Sequence, residues 1–202
     1  MNISRVQTIR KIVLLAAIAV AVFVFAVTDS VYPSGKAAHE LVEWAGILLI
    51  VICILGRTWS SLYIAGRKGR ELVTIGPYST CRNPLYFFSI IGAAGMGTQS
   101  GSLTLGLISG MIAAIVFFFV VTQEERLLTK VHGKKYGTYL ATVPRFVPRP
   151  SLWRDEDTLT IRPPRVLMTF ADALVFLLSV PIAEGFEYLR ELGTIPTLLI
   201  LP

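Results

Sequence analysis

Charge is scarce in this chain. Of its 202 residues only 16% are Asp, Glu, Lys or Arg, whereas 53% are apolar, and the mean hydropathy is +0.64. That balance excludes an ordinary soluble domain. Cysteine is scarcer still: Cys53 sits inside an apolar run and Cys81 beside Arg82, so no disulfide framework is available. Two histidines, His39 and His132, are too few for a histidine-rich metal site, and no metal centre is expected. A phosphate loop, a Gly-x-Gly-x-x-Gly turn after a strand and a Ser/His/Asp set are all missing; Gly95-Met96-Gly97 lies in an apolar run, where close helix packing accounts for it. The formal charge of +6 does not point to nucleic acid. In so apolar a chain the basic residues belong beside anionic lipid headgroups.

What is present is a series of long uncharged runs. Ile12 to Val27 follows Arg10 and Lys11 and holds no charge over sixteen residues, which is ~24 Å of helix. It leads into Thr28-Asp29-Ser30-Val31-Tyr32-Pro33 without a small-x-small cleavage site, and so reads as a retained anchor. A second span starts near Leu41, stays uncharged from Trp44 to Gly56 and runs on toward Ala65, with Arg57, Trp59 and Tyr63 as an interface belt. Asn83 to Gln123 is 41 residues without a charge, enough for two crossings. Gly92, Gly95, Gly97, Gln99, Ser100 and Gly101 predict the break of a tight helical hairpin there. Its first arm, about Leu85 to Thr98, is rich in small residues; these are expected to pack against protein and also to leave room for a lipid tail to enter sideways. A last apolar stretch, Val166 to Ala183, contains Asp172 and Pro181. The tail from Glu184 to Pro202 is expected to lie along the surface or re-enter.

The basic residues set an orientation. Residues 1–11 carry three Lys or Arg, 56–84 five and 123–165 nine, against only Lys36 and Arg190 on the other face. Retained positive charge marks cytoplasmic loops. The amino terminus is therefore expected inside and, after five spans, the carboxyl terminus on the opposite side. Arg57 to Pro84 and Gln123 to Arg165 then bracket the hairpin on the cytoplasmic side, where a soluble cofactor would be met. The expected fold is an all-α integral membrane protein of about five transmembrane helices, with a membrane core over 1–165 and an additional hydrophobic helix and tail over 166–202.

Chemistry-bearing residues concentrate in those two polar segments. Gly76-Pro77-Tyr78-Ser79-Thr80-Cys81-Arg82-Asn83-Pro84-Leu85-Tyr86 combines turn formers, donors and aromatics just before a membrane helix. Arg82 is a permanent cation at a membrane boundary and requires a carboxylate, a phosphate or a headgroup. Glu124 and Glu125 follow the hairpin's second arm, and as adjacent like charges near a helix's carboxyl end they require compensation. On a helix they point about 100° apart, so one faces the bundle while the other meets solvent or Arg126. Further on, Tyr136 and Tyr139 share a helical face, as stacking platforms or interface anchors, and Val143-Pro144-Arg145-Phe146-Val147-Pro148 follows.

In this order the elements Gly-Pro-Tyr-x-x-x-Arg-Asn-Pro-x-Tyr, hairpin, Glu-Glu-x-x-Leu, Tyr-x-x-Tyr and Val-Pro-Arg-Phe-x-Pro resemble the isoprenylcysteine carboxyl methyltransferase family and the related membrane phospholipid N-methyltransferases. The resemblance covers about Gly76 to Pro148. It implies an integral-membrane enzyme that moves a methyl group from S-adenosylmethionine, held in a cytoplasmic pocket, to a lipid or lipidated acceptor entering from the bilayer. Tyr78, Arg82, Asn83, Pro84 and Tyr86 match the family's first cofactor motif, in which His often stands in place of Asn83. An Asn hydrogen-bonds but does not titrate near neutral pH. Glu124 and Glu125 match the acidic pair, one of which is implied to hold the cofactor's ammonium group. Tyr136, Tyr139 and Arg145 match the closing motif, with Arg145 a candidate for an acceptor carboxylate or phosphate. Arg145, Glu125 and Tyr139 are thus the expected catalytic residues. The segment after Pro150 is not something many family members share.

Two other readings compete. Membrane reductases of the steroid-reductase type carry an Arg-x-Pro-x-Tyr element before a hairpin, usually continued by Gly-Glu, whereas Phe87-Phe88 follow Tyr86 here. In a non-catalytic membrane scaffold or carrier, Asp172 would be the functional ion.

Overall fold

The computed structural model describes residues 23, 26–32, 34–65 and 72–202. The anchor expected over Ile12 to Val27 therefore falls largely outside the described residues. In chain order the elements are β1 (Thr28–Ser30), α1 (Ala37–Ile64), α2 (Pro77–Thr80), α3 (Pro84–Thr98), α4 (Leu103–His132), α5 (Lys134–Thr142), α6 (Pro163–Leu174), α7 (Ser179–Glu191) and β2 (Leu199–Leu201), with 3-10 turns at Pro150–Leu152 and Val175–Leu178. Three helical stretches are long and apolar enough to cross a membrane: α1, α4, and α6 with α7 as one run. The chain is an integral membrane protein. Helix α3 is a shorter apolar arm of 15 residues, ~22 Å long.

Local chemistry explains most boundaries. Pro84 occupies the first turn of α3, where its missing N–H costs nothing. Ser102 caps α4 by accepting from the Leu105 N–H at 3.2 Å, and α4 stops at Gly133, whose φ of +54° suits glycine. Thirty residues give α4 ~45 Å of length, more than the ~30 Å of a hydrocarbon layer, so the helix is long enough to bring Glu124 and Glu125 to its boundary. Pro181 lacks an N–H and crowds the carbonyl of Leu177, which accounts for the tightened turn at Val175–Leu178 between α6 and α7.

The glycines expected to break the hairpin mostly do something else. Gly92, Gly95 and Gly97 lie within α3, and the chain turns only at residues 99–102, where Gly101 has φ +70°. The reason is packing. A Cβ on Gly95 would lie 2.7 Å from the Gly46 carbonyl oxygen of α1, one on Gly97 2.5 Å from the Leu105 carbonyl of α4, and one on Gly92 2.5 Å from Cys53 Sγ. Small residues thus bring α3 into contact with both neighbours, as membrane helices favour. The seam expected to admit a lipid tail is filled by this approach. Along α4 the opposite face exposes Leu107, Met111, Ile115 and Phe119 at four-residue spacing, a lipid-facing stripe.

Helices α1 and α3 run antiparallel, and the α6–α7 run lies along them. Ala173 of α6 packs on Ile50 and Ile54 of α1; Phe176 meets Gly92 and lies under the Arg57 guanidinium at 6.0 Å; Asp172 is exposed. Arg57 is also held by the Ser89 hydroxyl. The bundle has two ends. At the far end the expected all-α fold gains a two-stranded parallel sheet, with Thr28 opposite Leu199 and Ser30 opposite Leu201. The tail therefore returns as a strand, and the Pro202 carbonyl accepts from the Ser102 hydroxyl at 2.8 Å and the Thr104 N–H at 2.9 Å. At the other, basic end, Tyr63 donates to Asp155 Oδ2 at 2.9 Å and Trp59 stacks on Trp153, docking the 150–155 segment onto α1.

Candidate active site

The two polar segments meet as neighbouring stretches of irregular backbone. Gly76, at φ +56°, sits where a Cβ would collide with the Tyr63 ring, and its N–H donates to the Arg154 carbonyl at 2.6 Å. Pro77 then starts the single turn α2, which buries Tyr78, Ser79 and Thr80. Beyond it the chain is laced to residues 144–149: Arg82 N–H donates to the Pro144 carbonyl at 2.9 Å, Asn83 Nδ2 to the Arg145 carbonyl at 3.0 Å, Cys81 Sγ to the Phe146 carbonyl at 2.8 Å, and Arg149 N–H to the Thr80 carbonyl at 2.9 Å. These bonds satisfy backbone that no helix pairs. They also fix where two arginines point.

Arg82 and Arg145 converge on one carboxylate. Arg82 Nη1 lies 3.0 Å from Glu125 Oε1, and Arg145 Nη2 lies 2.5 Å from Glu125 Oε2. Glu125 is 7% exposed, so of the two adjacent glutamates it is the one facing the bundle. Glu124 is half-buried, one position round the helix, and accepts from the Tyr86 hydroxyl at 3.1 Å. The Tyr86 ring rests on Phe117 at 4.8 Å. Two arginines and two glutamates balance in charge, which is what permits such a cluster at a membrane boundary. Arg145 is the most open member of the trio around Glu125: its side chain is 30% exposed and its guanidinium lies 5.1 Å over the Phe118 ring of α4.

The aromatic residues close the site from the other side. Tyr136 and Tyr139 face the same way on α5, with rings 5.9 Å apart, and Tyr139 donates to the Tyr78 carbonyl at 2.7 Å. Burial pushes the Tyr136 phenol up to about 12 and those of Tyr78 and Tyr139 well above the usual range. All three remain protonated at neutral pH, so none serves as a base, and of the three Tyr139 is the one that donates as described. Burial likewise raises the Cys81 thiol to about 11, so it is no nucleophile.

Three buried polar atoms in this cluster make no hydrogen bond among the described residues: Tyr78 Oη, Arg82 Nε and Glu125 Oε1, the last being in ion-pair contact with Arg82 without a directed bond. Buried groups left this way are costly and call for a polar partner, whether water or a ligand. The residues matched to the cofactor, acidic and closing motifs lie in or beside this cluster, with Pro84 starting α3 and Asn83 tying the backbone to Arg145, whereas Asp172 lies outside it on α6. Sequence reading missed Phe118 and Thr122, which flank Arg145 from α4, and Thr122 Oγ1 at 3.5 Å from Nη1 could have been found only by knowing the helix register.

Comparison with known proteins bears on the family of this chain. The sequence profile of the phospholipid methyltransferase family matches residues 42–135, which takes in most of α1, all of α3 and the glutamate pair. The nickel-cobalt-cadmium resistance protein NccN of Alcaligenes xylosoxydans xylosoxydans is 36% identical over 157 residues, 78% of this chain and 73% of that protein. The cobalt-zinc-cadmium resistance protein CzcN of Cupriavidus metallidurans is 32% identical over 167 residues, 83% of this chain and 77% of its own length. No solved structure matches. With Arg82 and the Glu124–Glu125 pair inside the matched region and the helical hairpin between them, the chain belongs to the phospholipid methyltransferase family.

Proposed function

We propose that this protein transfers a methyl group from S-adenosylmethionine to the polar head of a lipidic acceptor at the basic end of the bundle, and that this end faces the cytoplasm. The observation that carries the reading is the set of buried polar atoms without a directed hydrogen bond. Glu125 Oε1 is an acceptor beside the donor Arg82 Nε, and an α-amino acid group offers an ammonium and a carboxylate at matching polarity. The Tyr78 hydroxyl supplies a further donor. S-adenosylmethionine, when bound, supplies a methyl group on an electrophilic sulfonium.

The chain's own residues then have to align, exclude water and manage charge. Arg145, paired with Glu125 and open on one side, orients an anionic acceptor by its planar fork. A carboxylate or phosphate oxygen is already nucleophilic and needs no base. An amine acceptor must give up a proton, and Glu124, held by Tyr86, is the carboxylate placed to take it. Because α3 is closed against its neighbours, the approach for an acyl or prenyl tail is along the exposed α4 face, past Ile115 and Phe119 to Phe118 and Arg145. Calorimetry on the detergent-solubilised protein tests the reading. S-adenosylmethionine should bind where NADPH does not, and E125Q should weaken binding by about 2–4 kcal/mol while E124Q costs less than about 1. Binding of NADPH instead, or unchanged binding by E125Q, overturns it.

The two relatives are named for resistance to nickel, cobalt, zinc and cadmium. We infer a role in tolerance of such ions as the cellular setting of this chain, supported by the identities above. Growth of a deletion strain in graded nickel, cobalt and cadmium salts, with and without the intact gene, tests that setting.

A further inference from the structure

Metal-ligating atoms also gather at the far end of the bundle, where the methyl-transfer reading makes no use of them. We propose that His39, Glu43 and Glu187 form a binding site for one divalent ion of the zinc, nickel and cobalt class. His39 and Glu43 are one turn apart on α1, and Glu187 reaches them from α7; one ligand atom from each lies within 4.8 Å of the others.

The histidine is oriented for this. Its Nδ1 lies 3.0 Å from the Tyr32 carbonyl oxygen. A carbonyl only accepts, so Nδ1 carries a proton, and it is Nε2 that is turned toward the two carboxylates, with a lone pair there whenever the ring is neutral. An outer hydrogen bond of this kind fixes the tautomer of a metal-ligating histidine. The ring is also held in place sterically: it packs against Gly101 so closely that a Cβ there would collide with it, and its side chain is 6% exposed. Two carboxylates and Nε2 facing one another require a cation between them, a proton or a metal ion.

The spacing suits a small cation. Tetrahedral ligands at 2.0–2.1 Å from a metal lie about 3.3 Å from one another. His39 Nε2 lies 3.3 Å from Glu43 Oε1 and 3.8 Å from Glu187 Oε1, and the three ligand atoms all lie within 4.8 Å of one another, so closure draws the two carboxylates together by at most about 1.5 Å. Next to Glu43 lies a cavity of about 240 Å³, lined also by Glu184 and Gln99, which leaves space for a water or a fourth ligand. One imidazole with two carboxylates favours borderline ions over calcium or magnesium, which take oxygen ligands only. The inference rests on this geometry alone. The site lies about 25 Å or more from Arg82 and Glu125 along the helix axes, so its failure and that of methyl transfer are separable.

Cobalt(II) titration of the full-length, detergent-solubilised protein tests the proposal. The expected result is one Co2+ per chain, with visible ligand-field bands of a four- or five-coordinate ion, displaced by Zn2+. Losing even an outer partner lowers metal affinity about 10–100-fold, so H39Q and E187Q should each lower it by about 100-fold or more, while H132Q leaves it unchanged. Proton NMR of the Co2+ form should show one shifted, solvent-exchangeable imidazole proton, the Nδ1–H facing Tyr32. E187Q, whose side chain is partly exposed, keeps the test decisive should H39Q not fold. Absence of stoichiometric Co2+ binding, in which case the three groups hold only a proton, overturns the proposal. So does binding that survives both variants or is lost in H132Q.

Discussion

Replacing Glu125 by Gln probes whether the ion cluster at the basic end holds the fold together as well as binding ligand. In the native protein Glu125 is the only carboxylate within ion-pair distance of Arg82 and Arg145 among the described residues. Removing one partner of a buried pair costs 3–5 kcal/mol, because the remaining charge stays desolvated. Arg82 is 12% exposed and pays that penalty nearly in full; Arg145 at 30% recovers part of it from water. The lower bound therefore applies, about 3 kcal/mol, which for a chain of this size lowers the melting temperature by about 6–12 °C. E124Q keeps an acceptor for the Tyr86 hydroxyl and should cost less than about 1 kcal/mol. Thermal unfolding in detergent separates the two, and adding R82Q completes a cycle: R82Q/E125Q should be more stable than the sum of its parts by at least about 1 kcal/mol. If E125Q melts with the wild type, or the cycle shows no coupling, the cluster carries no structural load and the assignment of Glu125 as the inward glutamate is wrong.

Three further outcomes are expected. G95A should destabilise by about 1–3 kcal/mol, since the new Cβ meets the Gly46 carbonyl, whereas G137A, with open space around it in α5, should be neutral or stabilise by up to about 1 kcal/mol; thermal melts of both check it. Tyr136, raised by burial to about 12, stays protonated in the folded state while the unfolded phenol ionises near 10, so its share of stability is intact below about pH 10 and is lost as pH rises toward 12; Y136F should move the alkaline unfolding midpoint upward. In a methylation assay, a long-tailed amphiphile should turn over and its tail-less head should not, in kcat as well as KM; R145K should lose at least about tenfold in kcat/KM on an anionic head and little on an amine.

Much of this site was readable because its chemistry is local. Gly76-Pro77, Arg82, Glu124-Glu125 and Tyr136/Tyr139 stand in two short segments, and the charge-free run between them dictates a hairpin that folds them together. Which glutamate faces inward was not readable, since it depends on the phase of α4 against α3. Glycine offers a mixed case: close packing of the small residues along Leu85–Thr98 was legible and is what Gly92, Gly95 and Gly97 do, but they do not also break the helix, and which atoms they meet depends on Gly46, Cys53 and Leu105 in other helices. The His39–Glu187 contact and the three-residue strands lie beyond any local pattern. Counting histidines excluded a histidine-rich centre but says nothing of one imidazole meeting a glutamate from the opposite end of the sequence.

The β1–β2 pairing bears on the order in which this protein folds. It joins Thr28 to Leu199, and so closes a loop over nearly the whole described chain. Loop closure grows costlier with length, and contacts between sequence neighbours form first. The α3–α4 hairpin, and α1 against it, are therefore in place before the strands meet, and the far end seals last. With only three residues per strand it is also the unit that opens at the lowest free energy. Amide exchange is the readout: Leu198 and Val31, which donate across this seam to Val27 and Leu201, should exchange well ahead of the amides in the middle of α4, leaving the basic end folded while the clasp stands open.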